Sequence, residues 1–288
     1  KIIQDLQEAR ILLNEDPVKT EGGLSSGNAG ESSNFLCYRA LRLNYYAVTG
    51  LLARVCLYAG QRENAFNYST EVIKASNNGI FPFVDRSLVN GTAQDPDRIF
   101  SPEVLFALSD SQRGELFEEY FDPSLAPNMV FRMETDLLEQ TIYGGTGTGG
   151  NLDDYRCRSN WISSGSARYF YKYSDMTESG RIENTMIPLL RLGEMYLIAA
   201  ESQSNSLANG VSYINTLRKN RGVSNLQTLT TTLLQYEYIR EVYGEGQLFF
   251  MYKRMYSSII RSNSATNNPA PSNAVFVVPL PDTETENR

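Results

Sequence analysis

The sequence predicts a mainly α-helical fold of stacked helical hairpins, interrupted by a long loop-rich insertion and carrying a few short strands. Three observations support this. Apolar residues recur at helical spacing in three separated pairs of segments, and glycine or a polar turn divides each pair. Residues 77–180, between the first two pairs, keep no such period. A stretch of that length is far outside ordinary connections and points to function.

In order, residues 1–14 read as a short amphipathic helix (Ile2, Ile3, Leu6, Ala9, Leu12, Leu13) ended by Asn14-Glu15-Asp16-Pro17. Residues 20–34 are a polar Gly/Ser loop. Residues 42–59 and 63–75 form the first hairpin, broken at Gly60-Gln61. Leu52, Ala53 and Ala65 there have tetratricopeptide-like spacing, with Thr49 where that repeat usually has Trp. Within the insertion, 104–108 and 169–173 are strand candidates. The second pair is 187–203 with 211–220, closed by Arg221-Gly222. The third is 233–243 with 247–256, divided by Gly244-Glu245-Gly246. A polar loop (262–273), a strand (275–278) and Pro279-Leu280-Pro281-Asp282 follow. Such pairs bury a continuous core by stacking, as solenoids do.

Composition excludes several functions. Of 288 residues, 41% are apolar and 20% charged, as in ordered proteins. A formal charge of −7 with no Lys/Arg stripe disfavours nucleic acid, which needs a basic face. Histidine is absent, which removes His-dependent catalysis and His-ligated zinc. Cys37, Cys56 and Cys157 show neither a disulfide framework nor metal spacing, and Cys56 reads as core. No apolar run is long enough to span a membrane. Lys1 opens directly in a helical pattern without a signal peptide or lipid-bearing cysteine, so the chain is expected to lack an N-terminal part.

Gly145, Gly147 and Gly150 spell GxGxxG, but no helix pattern follows, so the run reads as a loop. The acidic pairs Glu118/Glu119 and Asp153/Asp154 read as solvated loop acids, with no EF-hand spacing. More informative are the aromatics of residues 117–173, set among Gly, Ser, Asn and Asp. Aromatic rings cover the apolar C–H faces of sugars while polar neighbours bond the hydroxyls. Trp161, the single Trp, has polar neighbours on both sides and is expected at the surface.

Several segments carry a family resemblance. Arg42 to Gly60 looks like a repeat helix of the SusD/RagB family, and Pro188-Leu189-Leu190-Arg191-Leu192-Gly193-Glu194-Met195-Tyr196 resembles that family's strongest signature. Asn215 to Gly222, Arg240 to Phe250, Val277 to Asp282, Asp154-x-Arg156 and Lys172-Tyr173 match further segments in family order. The resemblance implies one SusD-like α-helical bundle over 1–288, with helical repeats at about 40–76, 187–221 and 231–256 and a ligand-facing region at about 77–180. It implies a non-catalytic, surface-exposed outer-membrane lipoprotein that binds oligosaccharide for a SusC-like TonB-dependent transporter.

By position it points to Tyr143, Tyr155 and Trp161 as ligand-binding, with Asn151 and Arg158 as polar partners. No cofactor or metal is implied. Arg191, Glu194, Arg240, Glu241 and Glu245 are expected in ion pairs and caps rather than in catalysis. The alternatives are a peptide-binding RagB-like receptor and, on carboxylates alone, a glycoside hydrolase.

Overall fold

The computed structural model describes the chain except residues 27–35, 91–92, 146, 204–205, 264, 280 and 282–288. Helix α1 (Ile2–Leu12) lies against α3 (Tyr45–Tyr58), and Arg10 reaches across to bond Glu71 and Thr49. Pro17 precedes the single turn α2 (Val18–Glu21). The buried Asp16 carboxylate accepts from the amides of Val18 and Tyr45 and forms a two-point ion pair with Arg39.

The Asn44 side chain caps α3 by accepting from Ala47 N at 2.9 Å. Such a cap contributes about 1 kcal/mol. Its amide also donates to the Leu105 carbonyl at 2.8 Å, tying the start of α3 to strand β1 (Val104–Ser109). Beyond the turn at Gly60, α4 (Arg62–Asn77) folds back on α3, completing the expected first hairpin.

The second pair begins differently from expectation. Residues 186–191 form strand β5 (Met186–Arg191), antiparallel to β1 with Ala107 opposite Pro188, and helix α7 (Leu192–Glu201) starts only after it. Pro188 biases its predecessor towards extended backbone, and the apolar run of β1 provides a partner. Helices α8 (Val211–Lys219) and α9 (Thr231–Val242) flank α7, and α10 (Leu248–Met255) packs on α9. Ala53, Cys56, Leu57, Ala65, Leu197, Ile198, Ile214 and Leu234 share the continuous core that the repeat pattern required, and Leu52 is buried as well.

The insertion is more ordered than a loop-rich reading suggests. It holds α5 (Arg113–Tyr120), a π-helical segment (Leu137–Tyr143) and α6 (Tyr155–Asn160). Strands β2 (Arg132–Glu134), β3 (Trp161–Ser164) and β4 (Ala167–Phe170) form an antiparallel sheet in the order β2-β4-β3. A two-residue turn, Gly165-Ser166, joins β3 to β4. Beside β2, the Asn263 side chain accepts from Glu134 N (3.0 Å) and donates to the Arg132 carbonyl (3.1 Å).

Lys172 and Tyr173 lie beyond β4, so the strand expected at 169–173 is shifted towards the N-terminus. The strand expected at 275–278 is instead the helical turn α11 (Asn273–Phe276). No described strand lies beside it, and burying Phe276 near Phe249 satisfies the segment.

One internal feature sets the frame for everything else. Six buried cations (Arg156, Lys172, Arg191, Arg218, Arg221, Arg240) interleave with five buried carboxylates (Glu103, Asp154, Glu237, Glu241, Glu245). Glu241 accepts from Arg156, Arg191 and Arg221 at 2.7–3.1 Å. Burial alone would raise its carboxyl, but Arg221 and Arg191 hold it well below the usual range. Gly193 of α7 makes this possible, because a Cβ there would sit 2.1 Å from a Glu241 oxygen. Arg191, Glu194, Arg240, Glu241 and Glu245 are therefore all ion-paired, as expected. Asp154 departs from expectation. It is fully buried, chelated by Arg156 at 2.6 and 2.9 Å, because α6 packs on α9.

Candidate functional site

A pocket of about 260 Å³ opens where α6 runs into the β3–β4 hairpin. It lies just below the range usual for small-molecule sites, roughly 300–1,000 Å³. Asp154 starts α6 by accepting from Arg156 N, and the Arg156 side chain nails the helix to α9. From this anchored helix Cys157 and Arg158 line the pocket, with Leu152 from the preceding loop. Trp161 and Ser163 alternate along β3 onto one face. Arg168, opposite Ser163 in the ladder, completes that face and donates to the Ser163 hydroxyl. The π-helical segment delivers Glu139 to an ion pair with Arg168. Inserted π turns of this kind recur at functional sites.

The electrostatics are mixed and accessible. Arg158 bonds Asp153 at 2.7 Å with both side chains more than half exposed, and the Arg168–Glu139 pair is partly exposed. Exposed pairs of this type contribute about 0–1 kcal/mol, so a ligand can compete for them. The Cys157 thiol is pushed up to about 12, by burial first and then by Asp154, so it is a neutral thiol rather than a nucleophile at pH 7. Among the described residues no group of three or more His, Cys, Asp or Glu is arranged to hold a metal. No described helix is long and apolar enough to cross a membrane.

Of the five residues singled out by sequence, Trp161 and Arg158 meet in this pocket. Trp161 is not the surface residue expected, being only 6% exposed. Its ring packs against Phe170 (5.0 Å between centroids) and Tyr243 (5.2 Å), and its remaining surface reaches the pocket. Gly244 admits this packing, since its φ is +74° and a Cβ would lie 2.4 Å from the Phe170 ring.

Tyr143 is buried, its hydroxyl pushed well up by burial and by Asp154, and it offers no face to a ligand in this structure. Tyr155 leans the other way, against Gly222 and the small cluster of Val84, Val89 and Phe100. Asn151 uses its side-chain oxygen to accept from Asp153 N at 2.8 Å, a local turn outside the pocket lining. Sequence reasoning missed Glu139, Ser163 and Arg168. The turn Gly165-Ser166 after a polar–aromatic run signalled the hairpin and so the shared face of Trp161 and Ser163. Nothing local signalled Glu139, which only the π-helical segment brings into place.

A sequence profile described as the SusD family matches residues 111–275, more than half of the chain and the part containing this pocket. The chain belongs to the SusD family. Among solved structures it resembles a SusD superfamily protein of Bacteroides vulgatus ATCC 8482, with 21% identity and a TM-score of 0.64 over 99% of this chain and 62% of that one. A SusD superfamily protein of Bacteroides thetaiotaomicron VPI-5482 aligns with 16% identity and a TM-score of 0.62, over 99% and 63%. A structure described as a laminarin-binding SusD-like protein aligns with 17% identity and a TM-score of 0.53, over 88% and 60%. These likenesses concern the fold, and the chain spans about three fifths of the length of each of these SusD-type structures. No curated protein matches the sequence.

Proposed function

We propose that this SusD-family chain is the ligand-carrying part of a surface glycan receptor, held at the outer membrane as a lipoprotein and delivering oligosaccharide to a SusC-like TonB-dependent transporter. The observation that carries the reading is the pocket itself. An aromatic edge (Trp161) stands beside a hydroxyl (Ser163) and two guanidinium–carboxylate pairs that are open to water. A sugar ring presents apolar C–H faces and hydroxyl rims, and this lining answers both. Family membership and the laminarin-binding relative support the same ligand class.

Binding without cleavage fits better than hydrolysis. A glycosidase takes two carboxyl groups flanking the bond, whereas the lining of this pocket supplies one, Glu139, already committed to Arg168. The test is a glycan array that includes laminarin, followed by calorimetry on any hit. Saturable binding to one glycan class is expected, weakened about tenfold or more in a variant carrying Arg158→Ala and Arg168→Ala, since hydrogen bonds to charged groups contribute about 1.5–3 kcal/mol each. Silence across the array, with binding to a peptide library instead, would overturn the glycan reading in favour of peptide capture.

A further inference from the structure

Tyr243, whose ring touches Trp161, also lines a second and larger cavity of about 470 Å³. Its wall is mostly apolar, with Phe131, Phe249 and Ile260 beside Tyr243, while Arg132 and Arg261 stand in the lining. Arg132 Nε donates to the Pro127 carbonyl at 3.2 Å. Arg261 donates to the Ser262 and Ala265 carbonyls at 3.3 and 2.8 Å. Among the described residues neither guanidinium has a carboxylate within 4.0 Å, in a chain whose acids outnumber its Lys and Arg by 33 to 26.

The contrast with the glycan pocket is chemical. There, each lining arginine already faces a carboxylate; here, two permanent cations lie beside apolar surface and, among the described residues, donate to carbonyls. A sugar could meet the two guanidinium groups but would bury its other hydroxyls against Phe131, Phe249 and Ile260, at a cost of roughly 1–3 kcal/mol for each left unpaired. A molecule with an apolar body and one anionic end would satisfy both features, and the volume lies within the roughly 300–1,000 Å³ of small-molecule sites.

We propose that this cavity binds a small amphipathic carboxylate, its alkyl or aryl body against Phe131, Tyr243 and Phe249 and its carboxylate on Arg132 and Arg261. The proposal is independent of the glycan reading. The probes are octanoate, N-acetylphenylalanine and the uncharged 1-octanol, titrated into the protein by calorimetry and by ligand-observed NMR. Octanoate or N-acetylphenylalanine should bind at least about tenfold more tightly than octanol, the difference expected of a charge-assisted pair.

Arg261→Ala, and Arg132→Ala with Arg261→Ala, should remove that difference while leaving octanol binding and thermal unfolding unchanged. Preference for octanoate would indicate a fatty acid as the natural source, and preference for the acetylated amino acid a peptide C-terminus; each supports the shared chemistry. Equal affinity for octanol and octanoate in the unmodified protein, or binding of neither acid, overturns the proposal without requiring any variant to fold.

Discussion

The interior ion cluster and the pocket beside Trp161 use the same groups, arginines facing carboxylates, to opposite ends. In the cluster Glu241 is shared by three guanidinium groups, all buried, and Arg240 spends its remaining donors on the carbonyls of Ile142 and Thr148 at 2.8 Å. In the pocket Arg158 and Arg168 each face one carboxylate, with water nearby. What separates the two regions is solvent. Taking charges out of water makes their pairing obligatory, because a lone buried charge costs several kcal/mol, whereas an exposed pair is close to neutral and open to exchange. The cluster therefore serves the fold, and the pocket keeps its charges available to a ligand.

The sharpest way to break this contrast is at its centre. Glu241→Gln leaves Arg156, Arg191 and Arg221 without their shared anion, and should lower unfolding free energy by about 3–5 kcal/mol or prevent folding, as read by denaturant titration. A loss under 1 kcal/mol would mean the cluster is not holding α6, α7 and α9 together. Next in size, Trp161→Ala empties a packed site against Phe170 and Tyr243 and should cost about 3–5 kcal/mol, so it confounds any binding assay. Trp161→Phe keeps most of that packing and is the cleaner probe of the pocket edge.

Lys172→Met tests the charge balance. With six cations against five carboxylates, Lys172 is the surplus, and burial first, then Arg191, lowers its ammonium to about 8. The native state thus binds fewer protons than the unfolded chain between pH 8 and 10.5, so this group's contribution to stability rises with pH across that window. The variant should equal or exceed wild type at pH 7 by about 1–3 kcal/mol, and that advantage should shrink between pH 8 and 10.5. A pH-independent difference would place the effect in packing. Smallest of all, Arg158→Ala should change stability by no more than about 0.5 kcal/mol while weakening glycan binding, reversing the pattern at Glu241.

The helical pairs were legible because core contact imposes the 3.6-residue period, as at Ala53, Cys56 and Leu57. The start of α7 was not, because the apolar run Met186–Arg191 fits a strand as well as a helix until β1 appears beside it. The pocket was legible only in part. Trp161 and Arg158 stood out by residue type, but Glu139 and Arg168 come together from segments 29 residues apart through the π-helical segment and the sheet. Tyr143 stood out equally and is buried, since residue type alone does not say which ring the core claims.

Asn263 has a consequence for how copies of this chain meet one another. By taking up the amide of Glu134 and the carbonyl of Arg132, one side chain plugs the outer edge of β2 where a further strand would otherwise add. Wherever copies of a chain meet at high concentration, an unplugged edge invites them to stitch together. A single amide, equivalent to one residue of a missing strand, keeps neighbours apart.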